Sequence, residues 1–363
     1  MKFDMLIMSI YPNSEEEKDG MTQRIKAIDK LISDKKRVYL HVSFRKNFKK
    51  KYNEIQENLL EYRLNYFYHY TEIVNLIKNA NNIYIHSIYN AKILFFNSSL
   101  FEGKNIILDL HGVVPEELRY YGKLFKSKIF SKIEKEAIKT SNHVIFVTNK
   151  MKNYILSKYP KANFTSHILP IIPENLLSSK NIDIHKVDLL KKRLGINKDT
   201  VVFIYSGNAQ KWQNIDLMLS TIKNIQNVPN YKFIILTGQK DIFKKKLEQH
   251  GIEIKNIHLE SVSPENLAEY YYISNYGFIL RDEHILNNVA NPTKLVEYMY
   301  YGIIPIVKSE NIGDYKDLGY EYVKIEDLAL NMQPQKSIIN KKIIENNILH
   351  IKNFDIKRIL AGD

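Results

Sequence analysis

The stretch Asn291–Val307, NPTKLVEYMYYGIIPIV, reads as a short helix running directly into a buried strand. Asn291 suits an N-cap and Pro292 the first helical position. Gly302 stands where a left-handed residue closes a helix. The spacing predicts a helix over 292–301, with Leu295, Val296 and Met299 on its core face, followed by the apolar strand IIPIV (303–307). A helix that stops at glycine and re-enters as a short β-rich run is the unit of a layered α/β fold. The amides of Thr293, Lys294 and Leu295 have no acceptor within such a helix, so with the helix dipole they favour a phosphate. Glu297 lies on the same face, one turn further on. A carboxylate repels a phosphate but accepts two hydrogen bonds from a ribose cis-diol. On this segment alone, a solvated Glu297 paired with Lys294 is an equal reading.

The same alternation extends along the chain. Strands are expected at 3–10, 37–43, 63–69, 82–87, 105–112, 143–148 and 166–172, and the pattern restarts at 201–207, 232–238, 256–262, 276–281 and 303–307. Pro170, Pro173 and the polar run SSKNIDIHK (178–186) read as a linker. The expected architecture is two doubly wound, Rossmann-like α/β domains, residues 1–172 and 173–345, with an interdomain cleft. Residues 346–363 form a helical tail assigned to neither. Ligands of such domains sit beyond the carboxyl ends of the strands.

Composition narrows the class. The chain of 363 residues is 44% hydrophobic and 26% charged. No apolar run approaches the ~18 residues of a membrane span. The opening MKFDMLIMSI is short and broken by Asp4, so it reads as a strand and not as a signal peptide. Without cysteine, disulfides, thiolate metal sites and cysteine catalysis are excluded, which suits a reducing cytosol. Residues 1–170 carry 28 of 53 Lys and Arg against 17 of 40 Asp and Glu, and so hold +11 of the net +13. That asymmetry points to an anionic partner for the first half. Two basic places stand out there. FRKNFKKKY (44–52) interleaves cations and aromatics. An expected helix over 116–139 lines Lys128, Lys132, Lys135 and Lys139 beside an apolar row. Either suits an anionic membrane surface, and the helix equally suits packing on the sheet. The aromatic run also suits single-stranded nucleic acid, but no nucleic-acid module accompanies it and no such partner is expected.

Neither a P-loop nor a G-x-G-x-x-G fingerprint is present. There is no Asp-x-Asp pair to hold a metal on a diphosphate, nor a His-x-x-x-His motif, so no metal site is expected.

The segment 281–307, RDEHILNNVANPTKLVEYMYYGIIPIV, resembles the nucleotide-sugar site of GT-B glycosyltransferases, especially glycosyltransferase family 4. SGNAQKWQNID (206–216), LDLHGVVPEE (108–117) and GMTQRI (20–25) resemble further loops of that family, in family order. The resemblance implies a retaining, metal-independent transferase that moves a sugar from a nucleotide diphosphate sugar to a saccharide or lipid-linked saccharide, in cell-surface polysaccharide synthesis. The nucleotide sugar would be co-substrate and no cofactor is implied. The protein would be cytoplasmic and peripheral at the inner membrane face.

By the same resemblance, Glu297 holds the ribose, Asn291, Thr293 and Lys294 form the phosphate-binding helix start, and Lys211 neutralises the departing diphosphate. Gly207 and Gly20 allow close approach of the donor, and His111 orients its sugar. Arg281 is either a cation of that site or the partner of Asp282. Arg24, Glu116 and Glu117 are acceptor-side candidates, the two glutamates being equally explained as first-turn helix acids. The glutamate that family members carry eight positions before the ribose-binding one is replaced by Val289. Two other classes remain: a nucleotide-sugar epimerase of the same fold, and a non-catalytic basic protein binding membrane or polyanion.

Overall fold

A computed structural model describes residues 2–12, 20–177, 182–253, 255, 257–263 and 266–361. The chain divides into two compact units, residues 1–171 with 350–363, and residues 172–349. The expected tail therefore belongs to the first unit from residue 350 onward.

Unit 1 is an eight-stranded sheet of β1 (Met5–Met8), β2 (Arg37–Ser43), β3 (Lys51–Gln56), β4 (Leu59–Asn65), β5 (Asn82–His86), β6 (Asn105–Leu110), β7 (His143–Phe146) and β8 (Thr165–Ile168). Its order is β3-β4-β2-β1-β5-β6-β7-β8. All pairings are parallel except β3 with β4. The chain winds outward from β1 through β2, then returns to build the other side from β5. The topological switch therefore lies between β1 and β5, where ligand crevices form. Strands β1, β5 and β6 are continuous apolar runs because helices cover a parallel sheet on both faces.

Unit 2 is a six-stranded parallel sheet of β9 (Val201–Ser206), β10 (Tyr231–Leu236), β11 (Ile257–Glu260), β12 (Tyr276–Ile279), β13 (Ile304–Val307) and β14 (Val323–Lys324). Its order is β11-β10-β9-β12-β13-β14, so the switch lies between β9 and β12. Phe203 on β9 anchors the core, stacking with Phe233 of β10 and Tyr276 of β12.

Four sequence expectations shift. The strand expected at 63–69 is β4, four residues earlier, and residues 66–69 form a turn whose Phe67 and Tyr68 are exposed. FRKNFKKKY is a turn leading into β3, an edge strand exposed at every residue. The helix expected over 116–139 is two helices, Val114–Tyr120 and Leu124–Thr140, broken at Gly122, whose φ of +71° no continuing helix adopts. The polar run read as linker contains the start of the helix Ile184–Leu194, whose N-cap Asp183 accepts from the Lys186 amide. Residues 178–181 and 256 lie outside the described residues.

Candidate functional site

In unit 2 the helix Thr293–Tyr300 buries Leu295, Val296, Tyr298 and Met299 and leaves Glu297 and Lys294 half-buried at the carboxyl edge of the sheet. Its seating depends on Gly277 in β12. A Cβ there would stand 2.4 Å from the Tyr298 ring. Tyr298 thus crosses β12, and its hydroxyl accepts from the Ser206 amide at 3.0 Å, at the end of β9. Ser206 Oγ lies 2.8 Å from the Tyr271 hydroxyl, which donates to Glu297 Oε2 at 3.3 Å. The glutamate is therefore tied through Tyr271 and Ser206 to the strand end at the switch point, which Tyr298 also holds. Burial pushes its carboxyl up to about 7, against the lowering effect of Tyr271, Lys294 and Asn175.

Lys294 leans over the same strand end. Its Nζ lies 4.0 Å from the Tyr205 ring centroid and donates to Gln213 Oε1 at 3.1 Å. Gly207 makes room for it. That residue has φ of +145°, and a Cβ would stand 3.0 Å from Lys294 Nζ. Burial and then the nearby Arg281 guanidinium push the Lys294 ammonium well below its ordinary value, with Glu297 opposing. An incoming anion would relieve the repulsion between these cations. Arg281 donates to Asn287 Oδ1 at 3.3 Å, whereas Asp282 is engaged by Lys308 and Asn214. Lys211 stands exposed on the turn Lys211–Gln213 after β9.

Asn291 is not the N-cap. Its Oδ1 accepts from the buried Tyr315 hydroxyl at 2.9 Å, and the extended Pro292 precedes Thr293, the first helical residue. No side chain caps the helix, so the first-turn amides remain directed at whatever binds there. Val289 is buried. Of the acids upstream, Asp282 is engaged as above, and Glu283 accepts from Ser309, Asn311 and Asn288.

In unit 1, His111 follows β6 and is nearly enclosed. Its Nε2 is 3.1 Å from Asp109 Oδ2 and 3.3 Å from His86 Nδ1. Asp109 is fully buried and accepts from Arg24 Nε at 2.9 Å, Arg24 Nη2 at 3.0 Å and the Tyr84 hydroxyl at 2.8 Å. Burial alone would raise the Asp109 carboxyl, but Arg24 and His111 hold it well below the usual range. Burial lowers His86 to about 4, so its imidazole is neutral at physiological pH. Among the described residues, His86, Asp109 and His111 are the one trio with atoms close enough to share a metal. The trio's carboxylate oxygen already accepts from Arg24 and Tyr84.

This network corrects the reading of Arg24. The side chain is 2% exposed, and its Nη1 donates to the Leu169 and Pro170 carbonyls, so it braces Asp109 and does not reach an acceptor. Glu116 is likewise internal, accepting from Tyr154 at 2.8 Å and Lys158 at 2.8 Å. Glu117 is half-buried on the same helix. Gly20 begins the helix Gly20–Leu31, and the residues before it, 13–19, lie outside the described set.

Side chains of these two constellations that escaped sequence reasoning include Asp109, Tyr84, His86, Tyr205, Tyr271 and Tyr298. Asp109 had a signal, standing two positions before His111 in the strand expected at 105–112 and so on the same face. The tyrosines had none, because their partners are far away in sequence.

Residues 186–317 match the family described as Glycosyl transferases group 1. No curated protein matches the chain. Solved structures similar to it include the alpha,alpha-trehalose-phosphate synthase (UDP-forming) of Burkholderia vietnamiensis, at 11% identity and TM-score 0.64, with 100% of this chain and 97% of that chain covered. HepE of Anabaena, in complex with UDP and glucose, is similar at 12% identity and TM-score 0.65, covering 99% and 98%. Sucrose-phosphate synthase of Thermosynechococcus elongatus is similar at 12% identity and TM-score 0.60, covering 99% and 96%. The group 1 match over residues 186–317 thus marks a glycosyltransferase domain in unit 2, and the fold of the chain is GT-B.

Proposed function

We propose that the whole chain is a retaining, metal-independent glycosyltransferase of family 4 type. It would move a sugar from a nucleotide diphosphate sugar to a saccharide or lipid-linked saccharide acceptor in cell-surface polysaccharide synthesis, working at the inner face of the membrane. One observation carries the reading: Glu297, Lys294 and the uncapped helix start converge at the end of β9, where Gly207 leaves room for the lysine side chain. A diphosphate lies naturally against the first-turn amides and the Lys294 and Arg281 cations. The ribose then falls one turn away, where the Glu297 carboxylate accepts both hydroxyls.

In the transfer, the bond from the sugar C1 to the β-phosphate oxygen breaks and a bond from C1 to the acceptor oxygen forms on the same face. The leaving phosphate takes the acceptor proton, so the protein need supply no base. Lys294, Arg281 and Lys211 neutralise the charge that develops on the diphosphate. In unit 1, Asp109 holds His111 in place at the end of β6. Unit 1 would carry the acceptor and unit 2 the donor.

Several similar structures hold or form uridine nucleotides, so uridine is the first base to test. A thermal-shift screen of UDP-, GDP-, ADP- and dTDP-sugars is expected to show saturable stabilisation by one base. A uniform response to all four, or to none, would remove the donor assignment.

A further inference from the structure

We infer that Ser206 and Tyr271 form a directed hydrogen-bond relay that supports the charged Glu297 carboxylate, which makes both of them positioning residues for the donor's ribose. The ribose role of Glu297 is the reading proposed above; the relay itself stands on the geometry of unit 2.

Three buried hydroxyls meet at the end of β9, those of Ser206, Tyr271 and Tyr298. A buried hydroxyl costs stability unless its hydrogen finds an acceptor, and a tyrosine has one hydrogen to give. That of Tyr271 goes to Glu297 Oε2 at 3.3 Å. In the 2.8 Å contact with Ser206 Oγ, Tyr271 must therefore accept and Ser206 donate. Tyr298 accepts from the Ser206 amide, and its own hydrogen is directed at the Ile204 carbonyl 3.5 Å away. Tyr298 thus seats Ser206 but passes nothing to the glutamate. The hydrogens run one way, from Ser206 to Tyr271 to Glu297, and each bond of such a chain polarises the next. The Tyr271 ring is fixed as well. It meets Tyr298 edge-on with centroids 5.6 Å apart and Tyr301 at 5.5 Å, and its backbone carbonyl accepts from Lys336 Nζ at 2.9 Å.

The carboxylate needs this support. Lys294, Tyr298 and Tyr301 face Glu297 from its own helix and that helix's end, Tyr271 from the helix Leu267–Ile273, and Asn175 from the helix Glu174–Leu177. Burial favours the neutral acid; Tyr271 opposes it most strongly, then Lys294 and Asn175. Lys294 is a compromised counterion, because burial and Arg281 both favour loss of its own proton. Burial and then the Glu297 charge make Tyr271 hold its proton far more tightly than a free tyrosine. It therefore stays a donor across the neutral range. Phenylalanine would fill the same space, so the hydroxyl is what serves the glutamate.

The test follows the Glu297 carboxyl carbon by NMR through a pH titration of the ligand-free full chain, its signal identified by its disappearance in Glu297→Gln. The wild-type midpoint is expected at about 7. Tyr271→Phe, which keeps the ring, is expected to raise it by about one pH unit, the worth of one hydrogen bond to a charge. Ser206→Ala should raise it by about 0.3 unit. The double variant should match Tyr271→Phe alone, because the serine acts only through the tyrosine. UDP should then bind Tyr271→Phe about fivefold more weakly than the wild type at pH 7 and within about twofold of it at pH 9. The titration of UDP itself cancels in that ratio. A residue that only shaped the pocket would lower affinity by one factor at both pH values and leave the midpoint in place. An unmoved midpoint in Tyr271→Phe, or shifts from the two substitutions that add, overturns the relay. If Tyr271→Phe does not fold, an unmoved midpoint in Ser206→Ala overturns it. The donor reading fails separately: should Glu297→Gln bind UDP as the wild type does while the midpoints move as expected, the relay stands and the ribose role falls.

Discussion

At Glu297, the buried position that makes the carboxylate useful also destabilises the free protein. Its folded pKa is raised to about 7, above the unfolded value, so the folded state holds the proton more tightly. Below the unfolded pKa both states are protonated and the group is neutral in its effect. As pH rises from there through 7, stability is lost. Glu297→Gln should therefore stabilise the ligand-free protein at pH 8 by about 1–2 kcal/mol and leave it unchanged near pH 4, measured by urea unfolding. The same variant should weaken donor binding by about 2 kcal/mol, since a charge-assisted acceptor is lost. Wild-type donor affinity should rise with pH through 7, while that of the variant stays flat. An unchanged donor affinity would remove the ribose role. Asp109 has the opposite character, stabilised as a charge by Arg24. Asp109→Asn and Arg24→Gln should each cost about 3–5 kcal/mol by stranding the other partner. The double variant should lose much less than their sum, and additive losses in denaturant titrations would contradict the pairing. In the sequence, His111 was visible as a polar residue ending an apolar strand. Arg24 misled because its partner lies 85 residues away, and no local pattern distinguishes a buried arginine from a presented one.

Among the elements, the helix Thr293–Tyr300 was legible to within a residue at its start, because proline and glycine fix backbone geometry locally. The shift of its cap from Asn291 to Pro292 was not, since Tyr315 takes the asparagine side chain through tertiary contact. Strand β3 was missed because an edge strand exposed throughout has no apolar alternation to read. β4 was displaced in the reading because the aromatic run after it looks strand-like, though those rings gather on the outside of a turn. Gly277 is where an element's packing reaches the site. Gly277→Ala would drive a methyl into the Tyr298 ring, 2.4 Å away, and pull its hydroxyl from the Ser206 amide. The expected loss is about 1–3 kcal/mol of stability, together with weaker nucleotide binding through the displaced Tyr271 and Glu297. Stability and UDP affinity measured on this variant should fall together; a fall in stability alone would show that the seating of Tyr298 does not govern the site.

For the molecule as a whole, the sequence announced two α/β units through the restart of strands at residue 201 and the charge step near residue 170. It did not announce that the chain returns to the first unit at its end. Residues 350–361 pack there: Ile351, Ile356 and Ile359 are buried, the Ile359 carbonyl accepts from Asn105 Nδ2 at 2.8 Å, and Lys357 pairs with Asp34 at 3.0 Å. Those partners lie some 250 residues or more earlier, which no periodicity reveals. The return makes the first unit discontinuous, so its stability depends on residues that follow the whole of the second unit in sequence. Removing residues 350–363 should withdraw three buried isoleucines and destabilise unit 1 by on the order of 4 kcal/mol. The loss should be local. In hydrogen exchange, amides of β1, β5 and β6 are expected to lose protection, while those of β9, β12 and β13 keep theirs and still gain protection when UDP binds. Equal loss in both sheets would mean that the units unfold as one cooperative body. Unchanged exchange in β6, beside the lost Asn105 bond, would mean that the returning segment rests on the first unit without supporting it.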